Sequence, residues 1–260
     1  MNIIACYSNK GGVGKTATSV NLAYTSARAG NRTLLCDLDP QGASGFYFRI
    51  KPSRKLKEHA FFKDVDRFTR AIRASDFEYL DLVPANMTFR DFDIFLSRMK
   101  HSRSRLKKAL SALNSEYDVV ILDCPPNISR LSENVFKTAD KIIIPVIPTT
   151  LSERTFLQVL DFFTQKGFRK RKIVPFFSMV QRSKKLHKET VQRMRKQHKN
   201  FLSTEIPFSS DIEKMGIHRA PVLTYARSSA GAKAYKSLWN ELREALLLQR
   251  NTQNTRKSAM

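Results

Sequence analysis

Short apolar runs alternate with amphipathic segments along the chain. Four of the runs are typical of strands buried in a sheet: NIIACYS, RTLLCDLDP, FEYLDLVPAN and YDVVILDCPP. Segments such as TSVNLAYTSARAG and KLKEHAFFKDVDRFTRAI have helical spacing, and the first of these ends at Gly30. The alternation predicts a single α/β domain over residues 1–250, with a mostly parallel twisted sheet flanked by helices on both faces. A polar, disordered tail is expected over 251–260.

Cysteine use and hydropathy indicate the compartment. Cys6, Cys36 and Cys124 lie singly in or beside the strand segments, without C-x-x-C spacing, as small core residues do in a reducing compartment. No run approaches the roughly 18 apolar residues of a membrane span, and no signal peptide precedes the first strand. We therefore expect a cytoplasmic protein.

The segment YSNKGGVGKTAT joins the first predicted strand to the first predicted helix. Gly14, Lys15 and Thr16 complete the end of a G-x-x-x-x-G-K-[ST] phosphate loop, but Asn9 stands where the first glycine belongs and Lys10 follows it. Backbone N–H groups of such a loop and the start of the helix attract phosphate oxygens. Lys15 is expected to reach the outer phosphates and Thr16 to ligate magnesium. The alternative is an ordinary flexible turn.

Acidic residues follow two other predicted strands. RTLLCDLDP ends in Asp37 and Asp39, and YDVVILDCPP ends its apolar run at Asp123. Carboxylates at the C-terminal ends of parallel strands point into the crevice where ligands bind, so they can hold a metal or orient water. Each aspartate alone is also compatible with a helix cap or a turn.

Together these segments resemble a known family. KGGVGKT, DLDPQG and VVILDCPP are similar to the deviant phosphate loop, switch I and Walker B/switch II segments of the ParA/MinD family of P-loop ATPases, which have the SIMIBI type of fold. The resemblance continues to about residue 248 and is closest to ParA-type partition ATPases. It implies ATP and Mg²⁺ as ligands, slow hydrolysis stimulated by a partner protein, and an ATP-dependent homodimer. Within it, Lys10 is the signature lysine that reaches the partner's nucleotide.

The resemblance assigns site residues by motif position. The implied catalytic residues are Lys10, Lys15 and Asp39. The implied nucleotide-binding residues are Lys10, Gly11, Gly12, Val13, Gly14, Lys15, Thr16 and Ala17. The implied metal ligands are Thr16, Asp39 and Asp123. Asp39 is expected to orient the attacking water through the switch segment, and Asp123 to hold magnesium through its water shell.

Charge is strongly positive and unevenly distributed. The formal net charge is +23 and the sequence pI is about 10.2. Residues 165–200 contain thirteen Lys/Arg and one acidic residue, Glu189, and a second basic block covers 98–108. Both blocks are interleaved with apolar residues, such as Leu186, Val191 and Met194 in the first, so they predict helices that bury one face and expose a basic one. A clustered basic surface favours polyanion binding over mere solubility.

Nonspecific double-stranded DNA is the expected polyanion. No helix-turn-helix, zinc finger or RNP pattern is present, so contacts to phosphates are expected, with strong salt dependence. Many ParA-type ATPases bind DNA as ATP dimers, and the resemblance makes these residues candidates for DNA contact here: Arg182, Lys184, Lys185, Lys188, Arg193, Arg195, Lys196 and Arg219. Arginines common in relatives are replaced by Phe208 and Asp211 in IPFSSDIEKM. This difference weakens the case for chromosome segregation as such.

The resulting hypothesis is a nucleoid-associated ATPase that positions or partitions a cargo through an activating partner or adaptor protein. The alternative is a MinD-like ATPase of the membrane surface, which would use an apolar stripe in the C-terminal segment AYKSLWNELREALLLQR; the stripe is also typical of a helix docked on the core. An iron-sulfur carrier is disfavoured by the placement of the cysteines. A DNA-packaging protein without turnover would not need the full set of lysines and aspartates.

Overall fold

The eight strands form one sheet. A computed structural model describes residues 1–53, 56–100 and 102–258, and the side chains of residues 103 and 248–258 are not part of that description. The strands are β1 (Asn2–Cys6), β2 (Thr33–Asp37), β3 (Arg73–Ala74), β4 (Leu80–Val83), β5 (Val119–Asp123), β6 (Lys141–Val146), β7 (Ile173–Val180) and β8 (Glu205–Pro207). Their order in the sheet is β3-β4-β2-β5-β1-β6-β7-β8. Among the strands of the described residues, β3 alone runs antiparallel to its neighbour.

Helices connect the strands. They are α1 (Lys15–Arg28), α2 (Ala43–Tyr47), α3 (Glu58–Lys63), α4 (Val65–Arg70), α5 (Phe92–Ser97), α6 (Arg105–Ser111), α7 (Arg130–Thr138), α8 (Thr150–Gln165), α9 (Lys185–Gln197), α10 (Ser210–Glu213), α11 (Met215–His218), α12 (Val222–Tyr225) and α13 (Ala230–Ser258). Short 3₁₀ turns cover Met87–Asp91, Ser102–Ser104 and Lys170–Lys172.

A separate hydrophobic core covers each face of the sheet. One contains buried side chains of α3 to α9, among them Phe61, Leu106 and Phe156. The other contains buried side chains of α1 and α13, including Val20 and Leu238. Parallel strands buried on both faces have near-continuous apolar sequences, so these strands could be predicted from the sequence. The predicted fold class, an α/β sheet with helices on both faces, is confirmed.

Local details differ from the sequence-based expectation. The segment predicted as one helix at residues 55–72 forms α3 and α4, because Asp64 adopts an extended conformation and its side chain accepts a hydrogen bond from the N–H of Arg67. Leu186 was expected on the buried face of α9 but is 50% exposed, whereas Val191 and Met194 are buried. The two-residue strand β3 was not predicted, because it contains no apolar run.

The C-terminal helix docks on the core. Its apolar stripe, at Tyr235, Leu238, Trp239, Leu242 and Leu246, is buried against the sheet. The backbone of α13 continues to Ser258 and so enters the segment expected to be a polar tail. Side chains beyond Leu247 lie outside the description, and the boundary at residue 250 stays a prediction. Within the described residues, no helix is both long and apolar enough to cross a bilayer.

The three cysteines lie within the sheet layer. Cys6, Cys36 and Cys124 are free thiols, each at most 2% exposed. Burial raises the pKa of all three thiols, and nearby carboxylates add to the effect. They are packing residues, because a buried thiol held in its protonated form is a weak nucleophile.

Candidate nucleotide-binding site

The glycine-rich loop lies between the end of β1 and the start of α1. Gly12 and Gly14 have φ values of +69° and +90°, in the left-handed region that side chains rarely adopt. A Cβ atom at Gly14 would also lie 3.2 Å from the Ser178 hydroxyl of β7. These backbone requirements explain the glycines, and they leave the N–H groups at the start of α1 available to phosphate oxygens.

The two lysines of the loop occupy different positions. Lys15 is buried, and its Nζ donates to the backbone oxygen of Lys10 at 3.1 Å, inside the curve of the loop. Lys10 instead extends away from the loop, and its Nζ donates to the hydroxyl of Ser152 on α8 at 3.0 Å. Lys15 is thus placed for a nucleotide bound by its own loop, whereas Lys10 rests on a neighbouring helix.

Asp123 lies at the centre of a set of hydroxyl groups. Its carboxylate accepts hydrogen bonds from Ser19 at 3.1 Å and Ser44 at 2.9 Å, and it also interacts with the Thr16 hydroxyl. Burial raises the pKa of Asp123 to about 6, while these hydroxyls and Lys15 oppose the rise. The structure therefore brings Thr16 and Asp123 together, as the motifs predict.

Asp37, the last residue of β2, holds the backbone of the segment that follows this strand. It is fully buried, lies opposite Asp123 in the register of β2 and β5, and accepts hydrogen bonds from the N–H groups of Asp39 and Ser44 at 3.1 and 3.0 Å. Burial and the nearby Asp123 raise the pKa of Asp37 well above its usual value. Asp39 itself is only partly buried and accepts from the N–H of Gln41 at 3.0 Å.

The sequence reading missed part of this site. Asp37 was recognised as a strand-end carboxylate without a role, and Ser19 and Ser44 were not recognised at all. Asp37 could have been found as the last residue of an otherwise apolar strand, where a buried charge needs partners. Ser19 and Ser44 are ordinary helix residues in the sequence, and only the fold places their hydroxyls on Asp123.

The donor set suits magnesium. Magnesium prefers oxygen ligands and usually keeps several waters, with one or two carboxylates and substrate phosphates completing its shell. The Thr16 hydroxyl and the Asp123 carboxylate provide such oxygens beside the phosphate loop. The described part of the chain contains no group of three or more His, Cys, Asp or Glu suited to a metal, so a cage built entirely from protein ligands is not formed there.

The predicted DNA-contacting residues divide into two groups. Arg182, Lys184, Lys185, Lys188 and Lys196 are exposed on and just before α9, with 85% and 91% of the Arg182 and Lys185 side chains accessible. Three others bond within the protein: Arg193 to Glu153, Arg195 to Glu205 and the carbonyls of Leu202 and Ser203, and Arg219 to the carbonyl of Phe46. Arg219 lies against α2, so the structure does not group it with α9.

Comparison with known proteins identifies the family. A family model described as "AAA domain" matches residues 1–173. The sporulation initiation inhibitor protein Soj of Bacillus subtilis is 31% identical over 247 residues, covering 92% of this chain and 97% of Soj. The chain belongs to the ParA/MinD family of P-loop ATPases.

Solved structures agree with this ParA/MinD assignment. A cobyrinic acid a,c-diamide synthase from Mycobacterium smegmatis with bound ADP and magnesium is 25% identical, with a TM-score of 0.74 over 93% of this chain and 94% of that one. A plasmid partition protein from Borrelia burgdorferi bound to AMPPNP has the same fold, with 22% identity and a TM-score of 0.77 over 96% and 99%. The ADP, magnesium and AMPPNP bound in these two structures agree with the ATP and Mg²⁺ expected from the motifs of this chain.

Proposed function

We propose that this ATPase positions or partitions a cargo by switching between DNA-bound and free states. With ATP and magnesium it forms a face-to-face homodimer, in which Lys10 of each subunit reaches the nucleotide of the other. The dimer binds nonspecific double-stranded DNA, and hydrolysis stimulated by an adaptor or activating protein resets it. The similarity to Soj over nearly the whole chain supports a cycle of this family's kind. Under this proposal the protein acts on the nucleoid, in the cytoplasm.

The observation that carries the proposal is the exposed basic start of α9. Arg182, Lys184, Lys185 and Lys188 lie within seven residues and are all exposed. Nearby acids provide only weak pairing, at 3.8 Å from Glu205 to Arg182 and from Glu189 to Lys185. Cations held loosely at a surface can exchange these partners for phosphate oxygens, and such contacts do not depend on base sequence.

The catalytic part of the proposal assigns roles to residues of this chain. Lys15 holds the outer phosphates, and Thr16 with Asp123 would hold magnesium, whose charge the reaction uses to stabilise the transferring phosphoryl group. Asp39 orients the attacking water. Asp37 fixes the backbone of the Asp39–Ser44 segment through two N–H groups, so it positions Asp39 without contacting the substrate.

The experiment measures binding of a labelled 30-base-pair duplex by fluorescence anisotropy in ATP, in ADP and without nucleotide. We expect tight binding only in ATP. The double charge reversal Arg182→Glu/Lys185→Glu should weaken binding to all sequences alike and leave ATP-driven dimerisation intact. The matched control is Lys107→Glu/Lys108→Glu in α6, which makes the same charge change in the second basic block.

Two results would contradict the proposal. Equal duplex affinity in all three nucleotide states would remove the switch. A loss of affinity caused only by the α6 control would leave the switch but move the DNA surface.

Hydrolysis is measured separately, since Asp39→Ala should keep ATP and DNA binding while phosphate release stops.

The membrane alternative gains no support from α13. Its apolar stripe is buried, so insertion into lipid would require this part of the helix to leave the core. Co-sedimentation with vesicles of anionic phospholipid checks the alternative directly. Binding that persists at high salt and is lost on mutating α13 would favour it.

A further inference from the structure

The first turn of α8 holds the nucleotide loop. Ser152 is buried and accepts hydrogen bonds from Lys10 Nζ at 3.0 Å and from the Thr149 hydroxyl at 3.2 Å. Asn9, the preceding loop residue, donates to Gln158, which lies six residues after Ser152 on α8, at 3.4 Å. In this structure the Nζ of Lys10 is thus bonded to α8. In the proposed dimer Lys10 leaves Ser152 to reach the partner's nucleotide, so this bond distinguishes the two proposed states.

Glu153, the next residue of the same turn, contacts the basic helix α9. Glu153 forms an ion pair with Arg193 of α9, and 16% of the Glu153 side chain is accessible compared with 47% of Arg193. Consecutive residues of a helix point about 100° apart, so Ser152 and Glu153 can face different neighbours. One turn of α8 thus contacts the nucleotide loop with one residue and α9 with the next.

A packing contact joins the same three elements. Phe156, one turn after Ser152, is 1% exposed and its ring lies edge-on to His198 at the end of α9, with centroids 5.4 Å apart. Phe156 also borders, together with Lys10 and Ser152, a space of about 10 Å³. Such a space holds one water at most, so the loop packs directly on α8.

We propose that Glu153 couples the nucleotide state of the loop to the DNA-binding surface of α9. Without ATP, Lys10 is bound to Ser152, and Glu153 neutralises Arg193. When Lys10 leaves Ser152 for the nucleotide of the second subunit, the first turn of α8 moves, the Glu153–Arg193 pair opens, and Arg193 becomes available to a DNA phosphate. This inference rests on the proposed function, because it requires both the ATP dimer and DNA binding.

ATP can act through Lys10 because Lys10 has different partners in the two proposed states. A ligand can shift a conformational equilibrium only if it interacts differently with the two states, and here ATP competes with Ser152 for Lys10. Arg193 differs from Lys185, whose acidic partner Glu189 lies on α9 itself and moves with it. The Arg193–Glu153 pair joins α9 to α8, so a movement of α8 would change this ion pair but not the Lys185–Glu189 pair.

The test compares two equal changes of charge. Glu153→Gln removes the charge that holds Arg193, and Glu189→Gln removes a charge on the same basic surface without touching α8. Duplex affinity is measured for wild type and both variants with ATP and without nucleotide. We expect Glu153→Gln to raise the nucleotide-free affinity and lower the ATP-to-free ratio about fivefold, at the low end of typical coupling between sites. Glu189→Gln should raise both affinities alike and leave the ratio unchanged.

Further variants keep the result interpretable. In the Arg193→Ala background, Glu153→Gln should no longer change the ratio, because the coupled partner is gone. Glu153→Ala, which also removes the hydrogen bond, should lower the ratio at least as far as Glu153→Gln. Thermal melting and ATP titration establish that each variant is folded and binds nucleotide.

The outcomes separate the coupling from the proposed function. A wild-type ratio of one contradicts the proposed function and the coupling with it. A wild-type protein that binds DNA only in ATP, combined with a Glu153→Gln variant that behaves like Glu189→Gln, overturns the coupling alone.

Discussion

At the residue scale, the two lysines of the loop should fail in different ways. Lys15→Ala should abolish ATP binding, because it removes the main positive charge inside the loop. Lys10→Ala should leave ATP binding by the monomer largely intact and impair dimerisation and turnover, since the Lys10 Nζ bonds to Ser152 of α8 instead of pointing into the loop. Titration with a fluorescent ATP analogue and sedimentation velocity measure the two effects. Equal losses of ATP affinity would contradict the trans role of Lys10.

A second residue-scale prediction concerns Asp123 and pH. Its pKa is about 6 in the folded protein against 3.8 for the ordinary group, so between these pH values the folded state binds more protons than the unfolded state. Stability from this group is therefore greatest below about pH 4 and falls as the pH rises to about 6. Asp37 shifts in the same direction.

Thermal melting in nucleotide-free, magnesium-free buffer from pH 4 to 7 measures this loss. Asp123→Asn cannot ionise at this position, so its melting temperature should fall less than that of the wild type over the same range. A wild type and a variant with parallel pH profiles would show that the buried carboxylate does not carry the effect.

At the element scale, α13 is a structural helix. Leu238→Ala should lower the free energy of unfolding by about 2–5 kcal/mol, because Leu238 is fully buried in the core on the α1 side of the sheet. Ser237→Ala, at an exposed position one residue earlier, should change it by less than about 0.5 kcal/mol. Urea unfolding measures both. Little change in the Leu238 variant would mean that α13 can leave the core, as membrane insertion requires.

The elements also show how far the sequence could lead. Strands such as VVILD were predictable, because burial on both faces demands continuous apolar residues. The loop glycines and Lys15 were predictable, because phosphate binding imposes their spacing. The internal bonds of Arg195 and Arg219 were not, because a basic residue in a basic segment looks the same whether it faces solvent or a carbonyl. DNA contact by these two arginines stays a prediction.

At the scale of the whole molecule, dimerisation should change the salt dependence of DNA binding. Each neutralised phosphate contributes about −0.9 to the log–log salt slope. Two basic surfaces joined in one dimer act together through their high effective concentration. The slope in ATP should therefore be about twice as steep as that of the residual binding in ADP. Anisotropy titrations from 50 to 200 mM salt measure both slopes, and equal slopes would mean that only one surface binds.

The three buried thiols can report how often the sheet of this ATPase opens locally. Cys6, Cys36 and Cys124 cannot react with an alkylating reagent until their surroundings separate, so the labelling rate of each follows local unfolding. Cys6 also donates to the backbone oxygen of Lys15 at 3.4 Å, directly beneath the loop. ATP with magnesium should protect Cys6 more than Cys36, and mass spectrometry of the labelled peptides would reveal nucleotide binding without any introduced probe.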